Sequence, residues 1–344
     1  MRLLHTKKLK LYEFFGRNIP PYAILSHTWG NGEVSFQELQ SGLGKYKAGY
    51  NKIRRCCQMA ALDGFQWAWV DTCCIDKTSS SELSEAINSM YTWYRVSEVC
   101  YVYLADVPAH LRTRDTEVAI RKSRWFTRGW TLQELIAPPS VIFFNSEWGE
   151  LGTKRTLERL LYETTKVKEE VLRDADKVVE FSIAQKFSWA STRVTTRVED
   201  IAYCLLGIFG VNMPMLYGEG DNAFVRLQEE IIKNTADHSI FAWTSKSHLN
   251  HGLFAHSPAQ FERCGNIVQD PNVSINSFSS TNKGIHLHLR TKILGKSQLC
   301  LALLDCHELG NTAMSLGIYI QRQEAFNVFK RIWSDELGRV NAKE

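Results

Sequence analysis

The sequence predicts an α/β protein: a doubly wound parallel sheet, then a helical segment, then a small β-rich module. Three observations predict it. Up to about residue 150, short runs that are apolar throughout alternate with segments of helical period, as strands buried on both faces and their crossover helices require. From 151 to about 236 only helical patterns recur. After 238 the runs shorten and alternate apolar with polar.

Residues 22–26 (YAILS) form the first apolar run, broken by a Gly-bearing loop, HTWGNG at 27–32. Ile53, Cys56, Cys57 and Ala60 recur at i, i+3, i+4 and i+7, one face of a helix ending near Gly64. Residues 67–75 (WAWVDTCCI) make a second run of strand length, closed by Asp76 and Lys77. Ser79 with Glu82 is spaced as a capping box for the helix whose face carries Leu83, Ile87, Met90 and Tyr94. A third strand is predicted at 99–104 (VCYVYL) and a fourth at 141–144 (VIFF), with 123–137 entering a helix that Pro138 and Pro139 stop. Four strands in about 125 residues suit a flavodoxin-like layout; a closed α/β barrel needs about 250. The predicted domains are 1–150, the sheet domain; 151–238, a helical extension; and 239–344, the β-rich module.

The composition narrows the class of function. With 344 residues, 44% hydrophobic and 11% aromatic, the chain can bury a sizeable core. Lys and Arg total 41 against 37 Asp and Glu, and the net charge of +4 is too small and dispersed for a nucleic-acid footprint. The N-terminus lacks the apolar core of a secretory signal, and no run approaches the ~20 apolar residues of a membrane span, so a cytoplasmic protein is expected. The nine cysteines include two adjacent pairs rather than C-x-x-C spacing, which reads as reduced core thiols. The sequon at 272–274 is idle without a secretory route. His286 and His288 share one strand face but have no third ligand in sequence, so no metal site is expected.

In a doubly wound sheet, ligands gather outside the carboxyl ends of the strands. That rule selects His27, Thr28 and Trp29 after the first strand, Asp76 and Lys77 after the second, and Arg124, Trp125, Arg128, Trp130 and Glu134 near the fourth helix. Trp130 and Glu134 stand four apart and share a helical face. An indole beside a carboxylate can stack a ring while the acid stabilises a developing cation; equally, Trp130 can be core and Glu134 can pair with Arg128. The P-loop and G-x-S-x-G signatures are missing, and Gly30-x-Gly32 is an incomplete dinucleotide fingerprint.

Three blocks in order closely resemble the fungal heterokaryon-incompatibility (HET) domain: YAILSHTWG at 22–30, WVDTCCID at 69–76 with SEAINSM at 84–90, and RGWTLQE at 128–134. The stretches TRVEDIAY at 196–203, MPMLYGEG at 213–220 and FAW at 241–243 are similar to the segment that follows in HET-E-like vegetative incompatibility proteins. The resemblance implies an effector of allorecognition and programmed cell death. HET domains are held to be remote relatives of TIR domains, many of which cleave NAD+ at the nicotinamide–ribose bond with the glutamate of a W-x-x-x-E arrangement. Trp130 to Glu134 has that spacing. The resemblance therefore implies Glu134 as the catalytic residue. Ser26, His27, Trp29, Asp76, Arg124, Trp125, Arg128 and Trp130 would line the nucleotide site. NAD+ would be the substrate, with no further cofactor or metal. Assembly into a homo-oligomer and an upstream incompatibility partner are also implied. The alternative is a non-catalytic signalling or scaffolding module.

Overall fold

The structure is a computed structural model that describes residues 1–16, 18–246, 252–270, 278–282, 284–295, 298–323 and 328–341. The sequon at 272–274 lies outside them. Contacts divide the chain into two compact units, residues 1–176 and 177–344.

The first unit is built on β1 (Arg2–His5), β2 (Leu11–Glu13), β3 (Ala23–His27), β4 (Trp67–Trp69), β5 (Val99–Tyr103), β6 (Val141–Phe144) and β7 (Glu150–Thr153), in spatial order β2-β1-β4-β3-β5-β6-β7. Four strands, β4-β3-β5-β6, are parallel, with Ala23 opposite both Ala68 and Val99. The sheet is mixed rather than all-parallel, which corrects the sequence expectation. β1 and β2 extend it antiparallel beyond β4, and β7 closes the other edge antiparallel to β6. These edge strands are three or four residues long, and β2 and β7 bury no residue fully, so neither leaves the apolar run that marks a central strand.

Helices α1 (Phe36–Ser41) and α2 (Ala48–Leu62) connect β3 to β4. After β4 come α3 (Asp71–Cys74) and α4 (Ser80–Arg95), after β5 α5 (Thr113–Lys122) and α6 (Thr131–Ile136), and after β7 α7 (Glu158–Thr165) and α8 (Glu169–Arg173). The helical periodicity at 53–60 is realised in α2, which buries Ile53, Cys56, Cys57 and Ala60. The run at 67–75 is not one strand. It is the three-residue β4 followed by α3, and Val70, Cys73, Cys74 and Ile75 are apolar because that turn is also buried. Half of the capping box at α4 forms: Ser79 Oγ accepts from Glu82 N (3.3 Å), whereas the Glu82 carboxylate accepts from Asp76 N (2.8 Å) and pairs with Arg2.

The second unit opens on α9 (Ile183–Ala190), buried along its whole length, with the Phe187 ring meeting those of Phe209, Phe224 and Phe261. Then follow α10 (Asp200–Tyr203), α11 (Leu206–Phe209) and α12 (Asn222–Ile232). The Glu199 carboxylate accepts from Gly218 N (2.7 Å) and Gly220 N (3.2 Å), both glycines in the left-handed region at φ 106° and 60°. The β-rich part comprises β8 (Ile267–Gln269), β9 (Ser279–Thr281), β10 (Gly284–His286), β11 (Thr291–Ile293), β12 (Leu299–Leu303), β13 (Cys306–Glu308), β14 (Met314–Gln323), β15 (Val328–Arg331) and β16 (Gly338–Asn341), all paired antiparallel. The buried Arg331 guanidinium lies 3.7 Å over the Trp243 ring and donates to the Phe241 and Trp243 carbonyls, tying β15 to the end of the helical stretch. His286 and His288 are both exposed, their rings 4.8 Å apart. Among the described residues no group of three or more His, Cys, Asp or Glu is placed to hold a metal ion, and no helix is long and apolar enough to cross a membrane.

Candidate functional site

β3 is buried at every position and lies at the centre of the parallel core, with its C-terminal residue His27 opposite Tyr103. Successive strand residues point to opposite faces, so Ser26 and His27 send their side chains to opposite sides of the sheet. The candidate residues therefore divide into two groups that share one strand end.

On the first face, Ser26 Oγ donates to the Glu134 carboxylate and accepts the indole Nε1–H of Trp125 at 2.8 Å. Glu134 stands on α6, which packs against α4 and β3; it is 7% exposed. Trp125 is buried in a single turn at 124–127 that Ser123 caps, and Ser123 in turn donates to Asp106 Oδ1 at 2.7 Å. Tyr94 on α4 donates to the Leu25 carbonyl (2.9 Å); burial first, and the charge of Glu134 second, push its phenol well above the ordinary range. Cys100 on β5 is pushed up for the same two reasons. A carboxylate sits here among apolar walls with a hydroxyl held on it. Beneath it, Lys154 Nζ donates to the Ile136 (3.1 Å) and Pro138 (2.8 Å) carbonyls at the end of α6, and burial lowers its pKa to about 8.

On the second face, His27 Nε2 lies 3.0 Å from Asp71 Oδ1, and Lys52 Nζ on α2 lies 2.6 Å from His27 Nδ1. An ammonium can only donate, so Nδ1 accepts, and the geometry puts the ring proton on Nε2, facing Asp71. Lys52 also pairs with Glu33 Oε1 at 2.5 Å, which accepts Gly30 N at 2.8 Å. The buried Glu33 Oε2 has no hydrogen-bond partner among the described residues. Asp71 Oδ2 accepts the Trp29 Nε1–H at 2.7 Å, and the Lys77 ammonium lies 3.5 Å from the Trp29 ring centroid. Burial works against the charge of Asp71, but Lys77, His27 and Trp29 outweigh it and hold the carboxyl well below the usual range. Burial lowers the pKa of Lys77, opposed by the charge of Asp71.

Arg124 links the two groups. Its Nη2 donates to Thr28 Oγ1 (3.1 Å) and to the Trp29 carbonyl (2.9 Å), while its backbone N–H donates to Asp106 Oδ2 (2.7 Å). Trp130 is half-buried at the N-cap of α6, and Arg128 is half-buried with its carbonyl accepting from Thr131 Oγ1 at 2.9 Å.

The structure thus brings together Ser26, Trp125 and Glu134, and separately His27 and Trp29. Asp76 joins neither set. Its Oδ1 accepts from Gln37 Nε2 (2.7 Å) and Thr78 Oγ1 (2.6 Å) in the loop entering α4. β4 ends at Trp69, so the acid at the strand end is Asp71, which sequence reasoning missed together with Lys52 and Glu33. The signal was present: Asp71 is the one charged residue inside the apolar run 67–75.

A family model described as "Heterokaryon incompatibility protein (HET)" matches residues 22–117, and one for a domain of unknown function (DUF8212) matches 222–252. The chain is 51% identical over 223 residues to the vegetative incompatibility protein HET-E-1 of Podospora anserina, an alignment covering 63% of this chain and 16% of that protein. The chain spans about a sixth of that relative's length. No solved structure matches it. Ser26, His27, Trp29 and Asp71 fall within the HET segment; Glu134 lies 17 residues past its end, 134 against 117.

Proposed function

We propose that this chain, whose residues 22–117 match the heterokaryon-incompatibility (HET) family model, is a heterokaryon-incompatibility effector that hydrolyses NAD+ at the nicotinamide–ribose bond when assembled, with Glu134 as the catalytic carboxylate. One observation carries the chemistry: Glu134, 7% exposed, accepts from Ser26 at the end of the central parallel strand, and the same hydroxyl accepts from Trp125. Loss of nicotinamide leaves an oxocarbenium-like ribosyl cation, and a carboxylate in low-dielectric surroundings stabilises that charge far better than water does. The parallel order β4-β3-β5-β6, in which the second strand lies outside the first and the later ones follow on its other side, supports a flavodoxin-like and TIR-like reading of the domain.

Burial of Glu134 gives assembly a physical role. A carboxylate 7% exposed meets a ribose only after a local rearrangement, and contact with a second copy is the proposed cause. The test is nicotinamide release from NAD+ by concentrated, demonstrably assembled protein, beside Glu134→Gln. Release by the wild type and loss in the variant are expected; equal inertness of the two overturns the proposal.

The hydrogen bond from Ser26 also favours a second reading, in which Glu134 is a structural carboxylate and the domain recruits an executioner without turnover. Cell killing by Glu134→Gln at the wild-type level is the outcome that selects it.

A further inference from the structure

We infer that Trp29 is a stacking platform for the purine end of a nucleotide, with Arg124 on its phosphates, and not for a departing pyridinium ring. The inference rests on the nucleotide chemistry proposed above and adds which part of the ligand is held where.

Trp29 is 53% exposed, yet its ring is fixed. The indole N–H is held by Asp71 (2.7 Å), Asp71 by His27 (3.0 Å), His27 by Lys52 (2.6 Å) and Lys52 by Glu33 (2.5 Å), a chain of contacts that sets one ring orientation from β3, α2 and α3 together. Nothing in hydrophobic packing requires four polar or charged side chains to orient a solvent-facing indole. A ring held open in this way is pre-organised for a planar ligand.

The charge around the ring decides which ligand. Lys77 places its ammonium 3.5 Å from the ring centroid, covering one face. A cation there already draws on the negative π-face, so the opposite face is a poor partner for a second cation and a good one for a neutral, electron-rich ring. The nicotinamide ring of NAD+ is a cation, whereas a purine is neutral. Arg124 adds the second element. Its guanidinium uses only Nη2 on Thr28 and Trp29, and its Nε and Nη1 make no hydrogen bond to the described residues, leaving donors for a phosphate beside the platform. Ser26 lies three positions before Trp29, so the two Cα atoms are at most about 11 Å apart, a span a dinucleotide bridges. A purine on Trp29 would leave the other end of the ligand near Ser26 and Glu134.

The test is calorimetric titration of the full chain with ADP, ADP-ribose and nicotinamide mononucleotide. ADP is expected to bind the wild type. Trp29→Leu should weaken it about tenfold or more, while Trp29→Phe, which keeps a π-face, retains most of the affinity. Arg124→Gln should weaken ADP and flatten its salt dependence. Nicotinamide mononucleotide should bind Trp29→Leu as it binds the wild type. No ADP binding by the wild type, equal ADP binding by wild type and Trp29→Leu, or a larger Trp29→Leu effect on the mononucleotide than on ADP overturns the inference. The two proposals fail separately. Nicotinamide release with Trp29-independent ADP binding removes this platform and keeps the catalysis; Trp29-dependent ADP binding without nicotinamide release does the reverse.

Discussion

Ser26 donates its hydroxyl proton to the carboxylate of Glu134 across 108 positions of sequence and takes the indole proton of Trp125 in return. One fully buried oxygen therefore connects the central strand, the turn at 124–127 and α6. Ser26→Ala leaves the Trp125 N–H without this acceptor and takes one hydroxyl donor from Glu134. A loss of about 1–3 kcal/mol in urea unfolding is expected. A change below about 0.5 kcal/mol, the range of ordinary surface substitutions, would show that neither bond matters to the fold.

Asp71 makes stability depend on acid. Its folded-state pKa is depressed, so its contribution is fully present above the unfolded value of about 3.9 and is lost as pH falls through the lower folded value. Asp71→Asn has no such charge to lose. The variant should be less stable than the wild type by about 1–2 kcal/mol at neutral pH, with the gap closing as pH falls below about 4. Paired unfolding curves between pH 7 and 2 measure it, and a gap independent of pH contradicts the assignment.

Lys154 acts in the opposite range. Its pKa falls to about 8 in the folded chain, so the unfolded chain, with a value of about 10.4, binds the extra proton between the two. Stability should rise with pH across about 8 to 10.4 through this residue, by up to about 3 kcal/mol, and be pH-independent below 8. Comparing wild type with Lys154→Met isolates the effect, because the buried phenols that titrate above this window are common to both.

Thiol reactivity gives a fourth check. Burial pushes up the thiols of Cys56, Cys57, Cys100, Cys264 and Cys306, a hydrogen bond with Cys74 and then burial push up Cys73, and Cys300 alone among the nine is not buried. Iodoacetamide at pH 8 under native conditions should label Cys300 first, with the others following only on unfolding. Peptide mass spectrometry of the time course reads this directly, and early labelling of Cys56 or Cys100 would contradict the packed first unit.

The positions 141–144 were legible as a strand because β6 is buried at Val141, Phe143 and Phe144 and bounded by Pro139 and Asn145. The helical face of α2 was legible because its period survives burial on one side only. At 67–75 the same logic failed. Hydrophobicity reports burial, not backbone angle, and a buried turn of helix after a three-residue strand reads as more strand. The error moved the strand-end acid from Asp71 to Asp76 and hid the partner of His27 and Trp29.

What the sequence by itself determined was the set of parts: the three blocks that resemble the HET domain, the alternation of strand and helix, and the four-residue spacing of Trp130 and Glu134. The tertiary structure decided how those parts are shared out. Ser26 and His27 are neighbours in sequence, yet one faces α6 and Glu134 while the other faces α2 and Lys52. The reason is geometric. A strand turns successive side chains to opposite faces, and which acid or cation waits on each face is set by helices that begin 21 residues past His27, at Ala48, and 105 past Ser26, at Thr131.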